Sequence, residues 1–402
     1  MLAMGISKTY LLWTLGLLTA FGPYVTDLYL ASLPDQAEYF ATSASLVQLG
    51  LTASMAGLAV GQLLIGPVSD HCGRKKPLLL SLVAFVVITA TAIFSPNIES
   101  FLVLRFLQGV AGASGIVLSR SIATDLFSGK ELMSAMGTMG AVNGIAPATA
   151  PVIGALLITV TDWRGIFVLL TLIGAALLVM SVRIPETLDP VRRNPRSPLA
   201  AVASLPKVFS DHGFALIILQ QCFAFCVLFA YISSSPFIFQ KIYGLTGLGF
   251  GICFGLNACG IGIGAALASR MTRPEKVLRR SSLVLLAFSI LAGTALVLGA
   301  PFWLFEALLS GGLVTLGFTF PTAATLAMSR QRKQAGAASA ILGAAGFFSG
   351  GIVSPLVGFG DIRISTAIAL ASSGVLAFAA SVLVERFIRS EPASPEGEPL
   401  RL

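Results

Sequence analysis

The sequence predicts an all-α polytopic membrane protein, with twelve transmembrane helices in two pseudo-symmetric six-helix bundles. Of the 402 residues, 55% are hydrophobic and 11% are charged, whereas a soluble protein has about 25% charged residues. The apolar residues are grouped in repeated runs of about 20 residues, a length that crosses a bilayer. Basic residues are concentrated in alternate loops between the runs. Most of the chain therefore cannot face water.

Twelve apolar runs are separated by short polar or glycine-proline breaks. The first is too long for a secretory signal and has no small-residue cleavage site after it, so we expect a retained helix. The runs lie near residues 10–33, 44–66, 77–95, 100–122, 134–158, 164–182, 213–239, 248–269, 281–300, 302–328, 335–357 and 364–388.

The basic residues predict the orientation of the chain. Of the 26 Lys and Arg residues, only Arg164, Lys241 and Arg363 fall in predicted outer loops, and Arg105 falls inside a predicted helix. The others fall in loops or tails on one side, which the positive-inside rule identifies as cytoplasmic. Both termini are therefore predicted to be cytoplasmic, and we expect no nucleic-acid partner for the basic clusters.

A polar stretch with five prolines divides the runs into two halves. We predict an N-terminal six-helix bundle (1–182), a cytoplasmic linker (183–212), a C-terminal six-helix bundle (213–388) and a disordered cytoplasmic tail (389–402). The halves share a faint echo, "APVIGA" and "SPLVGF", about 204 residues apart. Parallel halves of this kind are a recurrent plan of transporters, in which the substrate site lies between the halves.

The cysteines do not indicate a metal site. Cys222 and Cys226 share a helix face, but their run contains no His, Asp or Glu, so small apolar packing explains them. We predict no metal, no cofactor and no enzymatic activity, because no nucleophile and base fall together in the runs.

Residues 61–80, "GQLLIGPVSDHCGRKKPLLL", form a predicted inner loop. Gly66 and Gly73 would allow close backbone approach and a tight turn. If the preceding helix continues to Arg74, then Asp70 and Arg74 lie four apart on one face and can pair. Alternatively, the stretch is a turn whose basic residues only reflect the positive-inside rule.

Two acidic residues of 18, Asp27 and Glu306, fall inside predicted runs, where a charged group is costly and often functional. Asp27 is the candidate for proton coupling, with an interfacial residue near a helix end as the alternative. Glu306 follows Pro301 and lies beside Trp303, which is typical of an interfacial helix start, and coupling is its alternative role.

Arg105 lies in "FLVLRFLQGVAGASG" (101–115), where it must be paired or must reach the headgroups by snorkelling. Asp27 and Arg105 both lie in the outer half of their runs. We expect the two groups to be electrostatically coupled if these helices are neighbours.

Residues 140–157, "GAVNGIAPATAPVIGALL", place small residues three or four positions apart. Such a face lets a neighbouring helix approach closely, which here would seal the outer vestibule, and the two prolines favour a bend. The residues of this pattern are Gly140, Gly144, Pro147, Pro151 and Gly154.

Six polar side chains in the runs are candidates for orienting a ligand in a mainly apolar cavity. Each is equally well explained as a hydrogen bond between helices. They are Tyr24, Gln48, Asn143, Gln220, Tyr231 and Asn257.

These stretches resemble the signatures of the major facilitator superfamily. The 61–80 loop resembles Gly-x-x-x-Asp-x-x-Gly-Arg-Lys/Arg, whose Asp and Arg latch the halves together with an acid that ends helix four, a place that Asp125 occupies here. "LxxRFxQGxxGA" resembles a second signature, whose Arg is implicated in proton coupling, and 140–157 resembles the antiporter signature of exporters. The resemblance implies a cytoplasmic latch formed by Gly66, Asp70, Gly73, Arg74 and Asp125.

Further segments are similar to Bcr/CflA-type drug:proton antiporters: "TDLYLASLP", "WRGIF", "RIPETL", "YISSSPFIFQKIYGLT" and "AGAASAILG". The resemblance implies a proton-coupled secondary multidrug exporter in the bacterial inner membrane. It would move hydrophobic drug-like compounds, such as phenicols or bicyclomycin, by alternating access, with Asp27, Arg105 and Glu306 as coupling candidates. We expect a monomer whose partners are the substrate, protons and the bilayer. The alternatives are an exporter of a physiological metabolite, such as an amino acid or a sugar, and a non-transporting membrane receptor.

Overall fold

The computed structural model describes residues 7–193, 209–268, 270–271, 273–331 and 335–390. In this part of the chain, twelve helices of 18 residues or more follow one another, as predicted, and no strand occurs. They are α1 (Lys8–Asp27), α2 (Ala44–Cys72), α3 (Lys75–Ala92), α4 (Ile98–Leu126), α5 (Gly129–Ile158), α6 (Trp163–Val182), α7 (His212–Phe237), α8 (Gly247–Ala268), α9 (Pro274–Val297), α10 (Phe302–Arg330), α11 (Ala335–Leu356) and α12 (Ile362–Ser390). Within the described residues, ten helices are both long and apolar enough to cross a membrane.

Local sequence sets the helix ends. The side chains of Ser43, Asn97 and Asp162 each accept a hydrogen bond from a backbone N–H in the first turn of α2, α4 and α6, which satisfies a donor that the helix leaves unpaired. Gly299 adopts a positive φ of 67° between α9 and α10, and Pro301 precedes the first residue of α10. The predicted break at Pro301 is confirmed.

The first apolar run is not one helix to residue 33, so the prediction of a single span over 10–33 is wrong at its outer end. α1 ends at Asp27, a 3-10 turn covers Leu30–Ser32, and a short helix covers Leu33–Tyr39. Pro34 explains the break, because its ring lacks an N–H and disfavours a continuous helix through the preceding turn, although it is tolerated at a helix start. Asp27 therefore ends α1.

The chain forms two compact units. Unit 1 comprises residues up to 204 together with 232–256 and 350–359, and unit 2 comprises 205–231, 257–349 and the residues from 360 onward. The repeat boundaries at 182 and 213 stay a prediction. Most of the predicted linker (194–208) and of the predicted tail (391–402) lies outside the described residues.

Glycines bring α2 and α4 into backbone contact in unit 1. A Cβ on Gly57 would lie 2.1 Å from the Phe106 carbonyl oxygen, and a Cβ on Gly109 would lie 2.0 Å from that of Ser54. Helices that approach this closely are held by van der Waals contact over a long stretch. This contact fixes the position of Arg105 on α4 against the backbone of α2.

Glycines also bring α8 and α10 into backbone contact in unit 2. A Cβ on Gly264 would lie 2.3 Å from the Val314 oxygen, and a Cβ on Gly317 would lie 2.1 Å from that of Ile261. Buried apolar side chains, among them Phe214 and Leu278, form a core below this contact. The α8–α10 pair positions Asn257 and Glu306.

Candidate functional site

Asp27 is buried at the C-terminal end of α1, with 6% of its surface exposed. Its Oδ1 accepts a hydrogen bond of 2.8 Å from the Thr26 hydroxyl, and among the described residues it forms no ion pair. A buried carboxyl group with one hydroxyl donor and no cation is costly in its charged form. This arrangement makes Asp27 a candidate for reversible proton binding.

Arg105 is fully buried, so the snorkelling alternative is wrong. Its Nε donates to the Gly50 carbonyl oxygen at 3.3 Å, and its Nη1 donates to Oε1 of Gln108. Gln108 in turn donates to the Thr89 hydroxyl at 2.9 Å. The planar guanidinium group thus joins α2, α3 and α4 through a chain of hydrogen bonds.

Arg105 also holds the end of α1 without touching the Asp27 carboxylate. Its Nη2 donates to the Val25 carbonyl oxygen at 3.2 Å, and its Cζ lies 4.2 Å from the centre of the Tyr29 ring. These residues lie two positions before and two positions after Asp27. The predicted neighbourhood of the two charged residues is present, but the contact is made through backbone and ring, and not through an ion pair.

Glu306 belongs to a hydrogen-bond network in unit 2. The Asn257 amide donates to Oε1 of Glu306 at 2.8 Å and to the Tyr231 hydroxyl at 3.2 Å, and the Ser310 hydroxyl donates to Oδ1 of Asn257 at 2.5 Å. Oε2 of Glu306 is buried and has no hydrogen-bond partner in the part of the chain that the structure describes. An acid at an interfacial helix start would not need these contacts to other helices. The network brings together three residues predicted from the sequence, Glu306, Asn257 and Tyr231.

Two of the predicted ligand-orienting residues are completely buried and join helices. Gln48 on α2 donates to the Ser233 carbonyl oxygen of α7 at 2.8 Å, and Gln220 on α7 donates to the Ser282 hydroxyl of α9 at 3.1 Å. A ligand cannot reach either side chain in this arrangement, and both are placed as hydrogen bonds between helices.

The other two predicted residues of unit 1 are only half-buried. The Tyr24 hydroxyl lies 3.0 Å from the Thr149 hydroxyl and joins α1 to α5. Asn143 lies on α5, six residues before Thr149. These side chains remain accessible enough to meet a ligand.

The predicted latch residues Asp70, Arg74 and Asp125 lie together in unit 1. Arg74 pairs with Asp70 at 2.5 Å and with Asp125 at 3.0 Å, and it also donates to the Ser69 hydroxyl. The helical register assumed for the Asp70–Arg74 pair is wrong, because α2 ends at Cys72. Gly73 instead turns the chain with a positive φ of 94°, which favours glycine.

Gly66 does not fit the close approach that the sequence predicts for it. A Cβ at this position would meet only ordinary contact, 3.8 Å from Val117. Gly73, in contrast, lies directly against the carboxylate of Glu186, where a Cβ would come within 2.4 Å of Oε2.

Glu186, in "RIPETL", contacts the predicted latch residues and was not predicted from the sequence. Its carboxylate accepts hydrogen bonds from the backbone N–H of Arg74 at 2.8 Å and of Lys75 at 3.2 Å, where the helix dipole of α3 favours an acid. Burial alone would raise the pKa of Glu186, but backbone N–H donors outweigh it and hold that pKa below its usual range. The sequence signal that could have identified Glu186 was an acidic residue within a linker rich in basic residues.

The small face predicted on α5 is only partly in close contact. A Cβ on Gly154 would lie 1.8 Å from the Leu28 carbonyl oxygen, whereas Gly140 and Gly144 have nothing within 4 Å. Close approach is therefore confirmed at Gly154 and wrong at the other two glycines. The helix continues through Pro147 and Pro151.

α5 also touches two glycines of α8 that the sequence analysis did not single out. A Cβ on Gly251 would lie 2.9 Å from the Pro151 oxygen, and a Cβ on Gly255 would lie 2.9 Å from the Ala148 oxygen. The spacing of Gly247, Gly251 and Gly255 is a small-residue pattern that indicates such a contact. The predicted outer half of α5 is thus held on both sides in unit 1.

A cluster of buried polar groups joins three helices of unit 1. The hydroxyls of Ser233 and Ser354 are hydrogen-bonded to each other, and the Ser45 hydroxyl donates to the Pro355 carbonyl oxygen at 3.1 Å. Together with Gln48, these groups tie α2 to α7 and α11. They lie at the end of unit 1 that is predicted to be external.

A family model for the Major Facilitator Superfamily matches residues 12–355 of this chain. An uncharacterized MFS-type transporter, YdgK, of Bacillus subtilis is 37% identical over 89% of this chain and 90% of its own. A bicyclomycin resistance protein homolog of Haemophilus influenzae is 30% identical over 96% of this chain and 97% of its own.

Among solved structures, the fold is similar to that of a bacterial homolog of the human lysosomal transporter Spinster, in an inward-facing and unoccupied conformation. The TM-score is 0.75 over 97% of this chain and 100% of that chain, at 16% sequence identity. At this identity, the similarity concerns the fold.

Proposed function

The chain belongs to the Major Facilitator Superfamily, and from that premise we propose that it is a proton-coupled secondary exporter of hydrophobic drug-like compounds. It is a membrane transporter and not an enzyme. The observation that carries the proposal is the buried Asp27, which ends α1 without a cation partner. The relative named as a bicyclomycin resistance protein homolog supports the substrate class.

Asp27 is the group that takes up and releases the proton. With one hydroxyl donor and no ion pair among the described residues, the buried carboxyl group is stable when it carries a proton. A rearrangement that opens it to water on the opposite side would release that proton, and substrate would move outward as the proton moves inward. Arg105 positions this segment through Val25 and Tyr29, so it acts as a positioning residue.

Glu306 is the second candidate for a proton. Among the described residues, its buried Oε2 has no hydrogen-bond partner, and its Oε1 accepts a hydrogen bond from Asn257. Protonation of this carboxyl group would therefore break no ion pair with a described residue. The two acids differ in their surroundings, since Glu306 lies in a network of neutral hydrogen-bonding groups, which can respond to a ligand by exchanging partners.

We assign Arg74, with Asp70, Asp125 and Glu186, to a latch on the predicted cytoplasmic side. The cluster is stabilised by charge-assisted hydrogen bonds and must separate when that side opens and closes. Tyr24 and Asn143, which are half-buried, are the side chains placed to orient a substrate. The protein acts as a monomer in the bacterial inner membrane, with both termini cytoplasmic.

Everted membrane vesicles with an acidified lumen test the proposal, with a pH-sensitive dye as the reporter. The compounds to add are bicyclomycin, phenicols, lipophilic cations and amino acids, with wild type, Asp27→Asn and the matched control Asp35→Asn. Asp35 is exposed on the short helix that follows α1.

We expect drug-triggered proton efflux in wild type and Asp35→Asn, and none in Asp27→Asn at equal membrane insertion. Efflux that survives Asp27→Asn would remove the coupling role of this residue. A response to amino acids and to no drug would identify a metabolite exporter instead.

A further inference from the structure

A pocket of about 600 Å³ in unit 2 lies away from Glu306, between the loop after α8, the start of α9 and the middle of α10. Its basic lining residues are Arg270, Arg273, Lys276 and Arg280. We call it the basic pocket. Among the described residues, none of these four cations has a carboxylate within ion-pair distance. Four cations around one pocket produce a positive potential that attracts anions.

The nearby acids are directed elsewhere. Glu275 is the only acid in the stretch 270–284, and it does not line the basic pocket. The buried carboxylate of Glu385 on α12 pairs with Arg279 at 2.9 Å and with Arg389. Among the described residues, the neighbouring acids therefore leave the positive charge of the basic pocket uncompensated.

The lining of the basic pocket is apolar along α9 and α10. Val277, Val284 and Phe318 form this apolar part. Val284 lies ten residues into α9, which places it about 15 Å along the helix from its first residue. A phosphate at the basic mouth and a hydrocarbon chain at Val284 would match this separation, whereas a free phosphate would leave the apolar part empty.

We propose that the basic pocket binds one anionic phospholipid of the predicted cytoplasmic leaflet. Its phosphate contacts the basic side chains at the start of α9, and one acyl chain lies along Val284 and Phe318. Basic pockets between transmembrane helices on the cytoplasmic side suit such headgroups. Alternatively, these basic residues only set the orientation of the chain through the positive-inside rule. That alternative explains the basic residues of the loop but does not explain the apolar lining of the same pocket.

Native mass spectrometry of the purified full-length protein tests the proposal by counting bound lipids during titration with phosphatidylglycerol or phosphatidylcholine. The test variant combines Arg270→Gln, Lys276→Gln and Arg280→Gln. The control variant removes the same number of charges outside the basic pocket, through Lys75→Gln, Lys76→Gln and Arg386→Gln. A further variant, Val284→Trp, fills the apolar part and leaves every charge in place.

We expect wild type and the control variant to bind one phosphatidylglycerol about tenfold or more tightly than phosphatidylcholine, since each nearby cation contributes. The test variant and Val284→Trp lose this preference. Equal loss in the control variant, no preference in wild type, or unchanged preference in both pocket variants would overturn the proposal. Displacement of phosphatidylglycerol by inorganic phosphate at equal concentration would also overturn it and identify a soluble-anion site.

Discussion

At the scale of single residues, the surroundings of Arg105 are the most unusual feature. A fully buried guanidinium group is held here by two backbone carbonyl oxygens, an amide oxygen and an aromatic ring. Burying a cation costs free energy unless its donors are satisfied. The charge is therefore tolerated because α1, α2 and α4 each supply an acceptor, which fixes the segment that carries Asp27.

Arg105→Lys tests this account, because it keeps the charge and removes the planar set of donors. The carbonyl oxygens of Gly50 and Val25 would each lose a hydrogen bond from a charged donor, at about 1.5–3 kcal/mol each. We expect proton-driven export to fall by about tenfold or more with the protein still inserted. Vesicle transport measures it, with Arg363→Lys in a predicted outer loop as the control. Export at the wild-type rate would contradict a positioning role for Arg105.

The lowered pKa of Glu186 predicts how the stability of the folded protein depends on pH. Its pKa is held below the usual range by backbone N–H donors that outweigh burial. A carboxyl group with a lowered folded-state pKa stabilises the protein above its unfolded pKa, about 4.3, and this stabilisation is lost as the pH falls through the folded value.

We therefore expect wild type to lose more thermal stability between about pH 5 and pH 3 than Glu186→Gln does. Thermal unfolding in detergent at a series of pH values measures the difference. Glu99→Gln, which removes an exposed acid in the first turn of α4, is the control for the loss of one carboxylate. Parallel profiles for wild type and Glu186→Gln would contradict the latch contact.

At the scale of elements, glycine decides which helix pairs touch. α5 carries glycines of two kinds: Gly154 lies against the Leu28 carbonyl oxygen, while Gly144 faces open space. The same residue type on one helix thus has different consequences, and the sequence pattern alone does not separate them.

Gly154→Ala and Gly144→Ala form a matched pair. The first places a Cβ 1.8 Å from a backbone oxygen, so the end of α1 must shift, at a cost of about 1–3 kcal/mol. The second adds a methyl group in open space and should be neutral or stabilising by about 0.5–1 kcal/mol. Thermal unfolding of both proteins measures the difference. Equal midpoints would show that α1 and α5 are not in contact at Gly154.

At the scale of the whole molecule, the orientation of the chain in the membrane remains a prediction from the distribution of its basic residues. Cys72 is exposed at the end of α2, on the predicted cytoplasmic side, and Gly360 lies in a predicted outer loop with positive φ. Because a membrane-impermeant reagent reaches one face, the two positions should label from opposite sides.

We expect a membrane-impermeant maleimide to label Cys72 in everted vesicles and not in intact cells. Gly360→Cys in a Cys72→Ser background should show the reverse, and Cys72→Ser alone gives the background from the remaining cysteines. Labelling of Cys72 in intact cells would place the termini outside and invalidate the assignment of the latch to the cytoplasm.

The sequence by itself determined the membrane class and the number of helices, which follow from hydropathy along the chain. The spacing of Asp70 and Arg74 indicated that these two residues can pair, whereas the resemblance to the superfamily signature implied the grouping with Asp125. Only the tertiary structure decided that Arg105 is buried, that Glu186 contacts Arg74, and that Gly154 rather than Gly144 touches the end of α1. Each of these depends on which atoms of a distant segment come within a few ångströms, and helical periodicity does not specify the neighbour.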